Sequence, residues 1–538
     1  MSDAPRPGVR RYSALHLFCG SGGGALGFKE AGFALAGAID IDPRCAIDFA
    51  ALVGETAIVA DIETMSPAEL GRLVPVCPDV VFLSAPCDGF SGCNSEAKAR
   101  TEKYQRLNRL ALHGVRLAVM AWGRQKPRAI LFENVPRITT RGKDLLAQIT
   151  LELAKAGYRV DQRLHDCGEI GGLAQSRKRF LLLARDPATL CEPIRKPVSQ
   201  RMRSIGEVIA EYPVPRPYSR GDSMHVLQPL SPLNHLRLAC IRAGGDWRTL
   251  PESVELVVCA TEEIGRLNGV AWGPCRGIGH ADPRVPWDPS KHKGRPGHYG
   301  VANPQEPSIT VRGRHEIQNC EATVPDPRVA RVAIEYQERN GAYEVQAAGV
   351  PSKTVLGHFE VRQAPGAVED RRVAGGAGRS AQGKRQRTRA EELRHALSFD
   401  EQGWVIPTHK LARHADGRFL LFGPALDFSA RAATVHLCIE AADGTWHRAL
   451  TMRELATLQS VPRSFVYCGP RTSTKTGTGQ AKRNGNMVPR LAALRIAEQV
   501  LAALIASDSG QLSLMAAGGV WVRPLEATDG AQTGGASC

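Results

Sequence analysis

Short apolar runs alternate with helix-period segments through the first third of the chain. Segments near 107–122 and 143–156 space their apolar residues at the helical period. This alternation predicts an α/β domain with a doubly wound parallel sheet. The runs that resemble buried strands are SALHLFC at 13–19, ALAGAI at 34–39, AIVADI at 57–62, DVVFLS at 79–84, RAILFEN at 128–134 and RFLLLAR at 179–185.

The pattern changes in the middle of the chain. From about 190 to 450 the sequence is rich in Pro, Gly, Arg and His, with short strand-like runs and few long helical patterns. Helical spacing returns at 489–506, and the Gly/Ala/Ser-rich tail after it is expected to be flexible. We therefore predict a first domain at 12–188, a second domain at 189–470, a C-terminal segment at 471–506 and a flexible tail at 507–538.

The second domain contains an internal repeat. Residues 297–328 align without gaps to residues 341–372 at an offset of 44 positions, with matches such as Tyr299/Tyr343. A solenoid normally needs about three stacked units, so two copies favour duplication of a β-rich, substrate-contacting module. The Gly-rich, basic segment at 371–395 is expected to be mobile; it could hold phosphates, although charge runs are more often simply solvated.

The charge balance narrows the class of partner. The 538 residues include 69 Lys and Arg against 54 Asp and Glu, a formal net charge of +15. Such a surface favours an acidic partner, and nucleic acid is the leading candidate because Lys and Arg neutralise phosphates. The alternative is that the charge only keeps the protein soluble. Charge alone does not distinguish DNA from RNA.

Membrane and metal sites are not indicated by the sequence. No apolar stretch approaches the length of about 20 residues that crosses a bilayer, and the N-terminus lacks an apolar signal-peptide core. We expect a soluble, intracellular protein. The 14 cysteines occur without a CxxC pair or a Cys/His cluster at zinc-ligand spacing, so reduced thiols and no metal are expected.

A Gly-rich turn follows the first predicted strand. The strand ends at Phe18 and opens into Gly20, Gly22 and Gly23 before a helix begins. Glycines at such a turn let a ligand approach the backbone and leave helix N-terminal amides free. Dinucleotide and S-adenosylmethionine sites share this feature, so alone it is a weak signal.

Carboxylates follow the next two strands. Asp40, in 38-AIDID-42, comes about 20 residues after the glycines, where it can accept hydrogen bonds from ribose hydroxyls. Asp61, after the third strand, could receive an adenine amino group. An ordinary tight turn with a solvated aspartate is the competing interpretation, and the order of the two features makes it the less favoured one.

Cys87 comes directly after a proline, where the fourth predicted strand ends. Ligands of open α/β sheets bind at the carboxyl ends of strands, and a deprotonated thiol is a strong nucleophile. A cysteine at a strand end is more often structural, but Glu133 ends a neighbouring strand and can face the same crevice. Three polar residues spaced at period two would project from one face before a further strand: Gln175, Arg177 and Arg179.

Together these motifs resemble the DNA (cytosine-5) methyltransferase family. FxGxGG, a ribose-binding acid, DI, PCxxFS, ENV, QxRxR, 453-RELATLQSVP-462 and 485-GNMVP-489 occur in family order between residue 15 and about 505. The resemblance implies a Rossmann-like, S-adenosylmethionine-dependent methyltransferase sheet in the catalytic and cofactor-binding domain at 12–188. It also implies a large, mostly β or irregular target-recognition domain at 189–470, and a final helix that returns to the glycine loop.

The resemblance also implies a reaction. Cys87 would add to carbon 6 of a flipped-out cytosine, and carbon 5 would then take a methyl group from S-adenosylmethionine. Glu133 would bind or protonate ring nitrogen 3 and Arg179 would contact the ring oxygen, with Arg177 also assigned to the catalytic group. The loop at about 88–105 would close over the base.

Further residues are assigned by their place in the family motifs. The implied cofactor-binding residues are Phe18, Gly20, Gly22, Gly23, Asp40, Ile41, Asp61, Ile62, Pro86, Asn486 and Val488. The implied DNA-binding residues are Ser91, Gln175 and Arg453. Arg453, together with Glu454 and Gln459, also resembles the family's organisers of the recognition domain.

Three functions remain open at this point. The leading one is a DNA cytosine methyltransferase acting on double-stranded DNA, either alongside a separate restriction endonuclease or as a solitary or phage-borne enzyme. The second is an RNA cytosine-5 methyltransferase, against which the large recognition region argues. The third is a catalytically silent DNA-binding regulator, which has no chemical need for the Cys87, Glu133 and Arg179 trio. We expect a monomer in the bacterial cytoplasm, associated with the nucleoid when bound to DNA.

Overall fold

The described part of the chain divides into two compact units. The first is built from residues up to Val208 and from Met452 onwards, and the second from most residues between Ile209 and Thr451. The predicted domain limits at 188 and 470 lie about 20 residues from these positions. The computed structural model describes residues 11–86, 101–219, 221–243, 249–251, 253–260, 263–271, 307, 323–328, 397–413, 417, 419–423, 426, 428, 432–473 and 478–510. The predicted repeat and tail lie mostly or wholly outside these residues.

The first unit is built on a seven-stranded sheet with the strand order β3-β2-β1-β4-β5-β7-β6. Its strands are β1 Ser13–Leu17, β2 Ala34–Asp40, β3 Ile58–Val59, β4 Val80–Leu83, β5 Ala129–Asn134, β6 Arg159–Asp166 and β7 Lys178–Arg185. The central strands are buried on both faces, which explains why they consist of almost continuous apolar residues. This is the Rossmann-like, doubly wound architecture that the sequence predicts.

Helices cover both faces of this sheet and join its strands. None of the described helices is long and apolar enough to span a bilayer. The described helices of the chain are α1 Gly23–Glu30, α2 Pro43–Val53, α3 Pro67–Leu73, α4 Glu102–Met120, α5 Ile138–Arg141, α6 Lys143–Lys155, α7 Cys167–Gly171, α8 Ile205–Ile209, α9 Pro232–Cys240, α10 Met452–Leu458, α11 Gln480–Asn486 and α12 Arg490–Ser509, of which α9 belongs to the second unit.

Local sequence explains several helix starts. Asp42 accepts a hydrogen bond from the amide of Arg44 and Pro43 occupies the first turn, which together begin α2. Ser66 and Glu69 form a reciprocal capping box at the start of α3. These contacts satisfy amides that have no partner inside the helix.

One edge of the sheet differs from the predicted all-parallel arrangement. β7 runs antiparallel to both β5 and β6. Only the short helix α7 joins β6 to β7, and so short a connection can join antiparallel neighbours but not parallel ones. β6 was not predicted because most of its residues are exposed or half-buried, which leaves no apolar run in the sequence.

The C-terminal helix α12 returns to the first helix, as expected from the family resemblance. A Cβ atom at Gly27 of α1 would lie 2.6 Å from both the carbonyl oxygen of Arg490 and the amide nitrogen of Leu494. Glycine is therefore needed at Gly27 for the two helices to approach this closely. Apolar residues of α12, including Ile496 and Val500, complete the core on this face of the sheet.

The second unit is mostly β and irregular. Its main sheet has the strand order β10-β16-β15-β13-β14-β8-β9, and β11 pairs with β12 separately. Its core gathers α9 and the inner strands around residues such as Leu236, Leu421 and Ile439. The strands are β8 Ser253–Ala260, β9 Glu263–Ala271, β10 Thr323–Asp326, β11 Ser398–Phe399, β12 Val405–Ile406, β13 His409–Arg413, β14 Phe419–Gly423, β15 Ile439–Glu440 and β16 Trp446–Ala449.

Candidate active site

The carboxyl ends of four parallel strands meet at one edge of the first sheet. In the sheet register, the last paired residues of β1, β2, β4 and β5 lie side by side: Leu17, Ile39, Leu83 and Phe132. Ligands of open α/β sheets bind at this edge. The residues that come next along each strand or loop are Phe18, Asp40, Ser84 and Glu133.

The glycine loop has a backbone that only a few residue types adopt readily. Gly20 and Gly22 have φ of 53° and 94°, and Phe18 also has a positive φ of 57°. Among the described residues, and apart from its neighbours in the chain, no heavy atom lies within 4 Å of the Cβ position of Gly20. Gly22 is the N-cap residue of α1, and no side chain among the described residues caps this end of the helix. The first amides of α1 therefore face the space beside Gly20. A ligand can therefore approach the backbone closely.

Asp40 supports the loop from the end of β2. Its Oδ2 accepts a hydrogen bond from the amide of Gly20 at 2.8 Å, and its Oδ1 accepts one from the amide of Asp42 at 2.9 Å. Burial raises the pKa of Asp40, and these two amides oppose that rise. The carboxylate thus fixes the loop and lies at the strand end where a ribose contact is predicted.

The other residues predicted to contact the adenosine differ in how exposed their side chains are. Ile41 is 61% exposed directly after Asp40, which is unusual for a large apolar side chain at a ligand edge and suits stacking against an aromatic ring. Ile62, in contrast, is buried in the core. Asp61 accepts a hydrogen bond from the amide of Glu63 at 2.9 Å. Only Ile41 and Asp61 therefore have side chains that reach the surface.

Phe18 is held from two sides. The hydroxyl of Ser84 donates to the carbonyl of Phe18 at 2.9 Å. The ring edge of Phe18 would lie 3.0 Å from a Cβ atom at Gly114 of α4, so that glycine gives the ring its room. Sequence reasoning did not identify Ser84 or Gly114. The signal for Ser84 was its position one residue past the strand that pairs with β1.

The chain that leads to the predicted nucleophile is tied to both neighbouring strands. Ser84 contacts the glycine loop, and the side-chain amide of Asn134 donates to the carbonyl of Ala85 at 3.4 Å. Pro86 follows and is half-buried. Cys87 and Ser91 lie outside the described residues. Asn134 is a supporting residue that the sequence analysis had noted only as part of a motif.

Glu133 and Arg179 form an ion pair beside this chain. The guanidinium Nε of Arg179 lies 3.0 Å from Oε1 of Glu133, and the side chains are 11% and 13% exposed. The pair bridges β5 and β7, whose register places Glu133 opposite Leu181. Arg179 also donates to the carbonyl of Lys178 at 2.8 Å. The structure therefore brings together an acid and a cation for which the family resemblance implies contacts to the target ring, and those contacts stay predictions.

A histidine and a thiol lie behind the ion pair. Nε2 of His165 lies 3.6 Å from Sγ of Cys167, and His165 pairs with Arg179 across β6 and β7. Burial, and then the charge of Arg179, lower the pKa of His165 to about 4. Burial raises the pKa of the Cys167 thiol to about 12. Both groups are therefore neutral near pH 7, and neither is poised to act as a nucleophile.

Gln175 and Arg177 face the C-terminal segment. The amide of Gln175 donates to the carbonyl of Leu458 at 2.7 Å and to the side chain of Gln459 at 2.9 Å. Arg177 donates to the carbonyls of Gly485 and Met487. Both side chains are buried, so in this structure they hold the returning segment in place. The DNA contact of Gln175 and the catalytic role of Arg177 stay predictions.

The RExxxLQ motif likewise organises the C-terminal segment. Arg453 is buried and donates to the carbonyl of Phe465 at 2.6 Å, and Glu454 is fully buried on the same helix. Gln459 donates to the carbonyl of Asn484 at 3.0 Å. Sequence reasoning had assigned Arg453 both to DNA and to organisation, and its contacts here are with the protein.

The GNMVP segment reaches the glycine loop. A Cβ atom at Gly23 would collide with the carbonyl oxygen of Val488, so this pair defines a close backbone approach. Val488 is buried, whereas Asn486 is exposed. Residues more than 460 positions apart therefore form one wall of the candidate cofactor site.

Residues 12–214 match the model of the C-5 cytosine-specific DNA methylase family. This part of the chain is similar in sequence to that family. The match covers the glycine loop, the strand that leads to Cys87 and the Glu133–Arg179 pair, but not the part of the first unit that begins at Met452.

Curated relatives are type II methyltransferases. The chain is 28% identical over 212 residues to M.XorII of Xanthomonas oryzae pv. oryzae, covering 38% of this chain and 47% of that protein. It is 27% identical over 249 residues to M1.HphI of Haemophilus parahaemolyticus, covering 45% and 63%. The chain thus spans about half to two thirds of the length of these relatives.

A solved structure also aligns along most of the chain. The methyltransferase EhMeth of Entamoeba histolytica aligns at 12% identity with a TM-score of 0.45, covering 93% of this chain and 99% of that one.

Proposed function

We propose that this protein methylates carbon 5 of a cytosine in a specific double-stranded DNA sequence, using S-adenosylmethionine. The observation that carries the proposal is the Glu133–Arg179 ion pair. It lies beside the strand that runs into Pro86 and Cys87, within a segment of the C-5 cytosine-specific DNA methylase family. DNA is the proposed partner, and a separate restriction endonuclease, a monomeric state and a cytoplasmic location stay predictions.

The proposed reaction begins with Cys87. Carbon 5 of cytosine is a poor nucleophile, so the Cys87 thiolate first forms a bond to carbon 6, which makes the ring an enamine. Carbon 5 would then attack the methyl carbon of the donor, and the bond from that carbon to the sulfonium sulfur would break to release S-adenosylhomocysteine. A base would remove the proton on carbon 5, and expulsion of the Cys87 thiolate from carbon 6 would restore the aromatic ring and the free enzyme.

Glu133 and Arg179 act on the ring while this adduct forms. The carboxyl of Glu133 binds or protonates nitrogen 3, and Arg179 donates to the exocyclic oxygen as negative charge develops there. Their ion pair at 3.0 Å keeps both groups oriented before the base arrives. The base must leave the duplex stack to reach them, which costs a few kcal/mol.

The glycine loop and the residues beside it form the site that would hold the methyl donor. S-adenosylmethionine would supply the methyl group. The open space at Gly20 and the exposed side chain of Ile41 suit a bound adenosine and methionine, and Asp40 keeps the loop in shape. Phe18, fixed by Ser84, offers an aromatic ring at the same strand edge.

The test compares two cysteine variants of the full chain. Bisulfite sequencing of DNA from bacteria expressing the wild-type protein should reveal cytosines modified in one sequence context. Cys87→Ala should leave the DNA unmodified, because no thiolate can activate the ring. Cys191→Ala, which removes an exposed thiol outside the candidate site, should modify DNA like the wild type.

The outcomes separate the functions considered above. If the DNA is unmodified and the protein methylates transfer RNA, the substrate is RNA and not DNA. Unmodified DNA and RNA would contradict a methyltransferase activity. Methylation by purified Cys87→Ala protein would contradict the role of Cys87.

A further inference from the structure

Ser21 is the one polar residue in the run of four glycines that forms the loop. Its side chain is completely buried, although a serine among glycines suggests an exposed turn. The Ser21 hydroxyl donates to Oδ2 of Asp48 at 3.0 Å. Asp48 lies on α2, which follows the next strand of the sheet. The carboxylate of Asp48 therefore anchors the glycine loop to α2.

Asp48 is fully buried and every oxygen of its carboxylate is used. Its Oδ2 also accepts from Nε of Arg483 at 2.6 Å, and its Oδ1 accepts from the amide of Cys468 at 2.8 Å. Asp48 and Arg483 both have side chains with 0% exposure. Hydrogen bonds to a carboxylate are stronger than those between neutral groups, and a buried carboxylate needs its cationic partner and further donors.

Arg483 connects this carboxylate to the segment that forms the opposite wall. It donates to the carbonyl of Cys468 at 2.6 Å and to the carbonyl of Thr478. Arg483 lies on α11, which leads directly to Asn486 and Val488. The same C-terminal segment is therefore linked to the glycine loop in two ways: directly, by the close approach of Val488 to Gly23, and indirectly, through Arg483 and Asp48 to Ser21.

We propose that Ser21, Asp48 and Arg483 form a positioning relay that couples the shape of the cofactor loop to the docking of α11. In this relay, Ser21 fixes the peptide between two glycines with positive φ, where the backbone is otherwise free to rearrange. Arg483 keeps the Asp48 carboxylate in place. The relay holds the amides of the loop ready for a cofactor, so less order must be gained on binding. This inference rests on the proposed function for the identity of the cofactor.

The closing experiment uses two serine variants of the full chain. Ser21→Ala removes the hydroxyl and leaves Asp48 with Arg483 and the amide of Cys468. Ser13→Ala is the matched control, because Ser13 also donates to an aspartate, Asp79 at 3.3 Å, but at the opposite end of β1. Hydrogen exchange of the peptide spanning 18–26 and calorimetric titration with S-adenosylmethionine are measured for both, after thermal melting shows that they fold.

We expect Ser21→Ala to speed hydrogen exchange in the loop and to weaken S-adenosylmethionine binding about ten-fold, since a hydrogen bond to a charged group is lost. The KM for S-adenosylmethionine should rise with kcat little changed. Ser21→Cys keeps the side-chain volume and a weak donor, so its exchange rate and affinity should lie between those of the wild type and Ser21→Ala. It replaces Ser21→Ala in the test if that variant does not fold. Ser13→Ala should behave like the wild type in all three measurements.

Wild-type exchange and wild-type affinity in Ser21→Ala would overturn the relay. Equal effects in Ser21→Ala and Ser13→Ala would also overturn it, because the loss would then be general destabilisation. A wild-type protein that binds S-adenosylmethionine but methylates no nucleic acid contradicts the proposed function alone, and the comparison of the serine variants still decides the relay.

Discussion

Two arginine–carboxylate pairs of the first unit differ in how completely their hydrogen bonds are satisfied. Asp48 and Arg483 are fully buried, and the carboxylate accepts from a guanidinium, a hydroxyl and an amide. Glu133 and Arg179 keep 13% and 11% exposure and share one contact at 3.0 Å. Among the described residues, the side chain of Glu133 has no further partner.

This difference indicates that the first pair supports the fold and that the second can take part in the reaction. A pair with every oxygen occupied has no capacity for a substrate, and its loss leaves a buried charge without a partner. In the other pair, Glu133 lies near the carboxyl end of β5 and its side chain accepts only from Arg179 among the described residues, so it can accept a ligand while remaining oriented. The same two residue types therefore serve opposite purposes, and substitutions at each should affect different measurements.

The largest expected effect is on folding. Asp48→Ala leaves Arg483 buried without a counterion, and breaking such a pair costs about 3–5 kcal/mol of unfolding free energy. Denaturant unfolding followed by circular dichroism measures the loss. Glu152→Ala, which breaks the exposed pair with Arg116, is the control and should cost far less, because water screens the exposed charges. Similar losses in both variants would refute the contrast between buried and exposed pairs.

The next effect is on catalysis. Glu133→Gln keeps the shape of the side chain but removes the acid, so methyl transfer should slow by about 10²- to 10⁴-fold. Its unfolding free energy should change by less than that of Asp48→Ala. Radiolabelled methyl transfer to DNA and denaturant unfolding are measured on the same preparation. A normal rate together with a large loss of stability would show that Glu133 is structural.

A smaller effect is expected from Arg179→Lys. Lysine keeps the positive charge but cannot present the planar guanidinium to both Glu133 and the base, so we expect a rate loss of about ten-fold or more. Lys178→Arg, on the exposed neighbour, is the control and should leave the rate unchanged. Equal rates in Arg179→Lys and the wild type would mean that charge alone suffices.

The most gradual effect, which is small at each step of pH, is the pH dependence of stability. Burial lowers the pKa of His16 to about 3 and that of His165 to about 4, from an ordinary value of 6.5. Below pH 6.5 the unfolded chain binds protons that the folded protein excludes, so stability present at pH 7 is lost as the pH falls towards 4. Each histidine contributes up to about 1.4 kcal/mol per pH unit.

Unfolding midpoints measured between pH 7 and pH 4.5 test this prediction. His165→Gln should reduce the slope, because one titrating group is removed beside Arg179. An unchanged slope in that variant would show that His165 does not contribute, and a stability that rises on acidification would contradict the sign.

Much of the first unit follows from local sequence. Continuous apolar runs such as 80-VVFL-83 are buried on both faces and form the central strands. The Gly-rich turn and the strand-end positions of Asp40 and Glu133 are also readable, because ligands of open α/β sheets bind at one edge. β6 was missed, since an edge strand with exposed residues has no apolar pattern.

The sequence by itself determined the alternation of strands and helices, the order of the motifs and the chemistry that Cys87 and Glu133 offer, because these depend on residue type and local spacing. Only the tertiary structure decided that Arg179 meets Glu133 while Gln175 and Arg177 turn to the C-terminal segment. It alone placed Asp48 next to both Ser21 and Arg483, although Asp48 and Arg483 are 435 positions apart in the sequence. Such pairs are set by how the chain returns on itself, and buried charges of opposite sign must meet there whatever their distance in sequence.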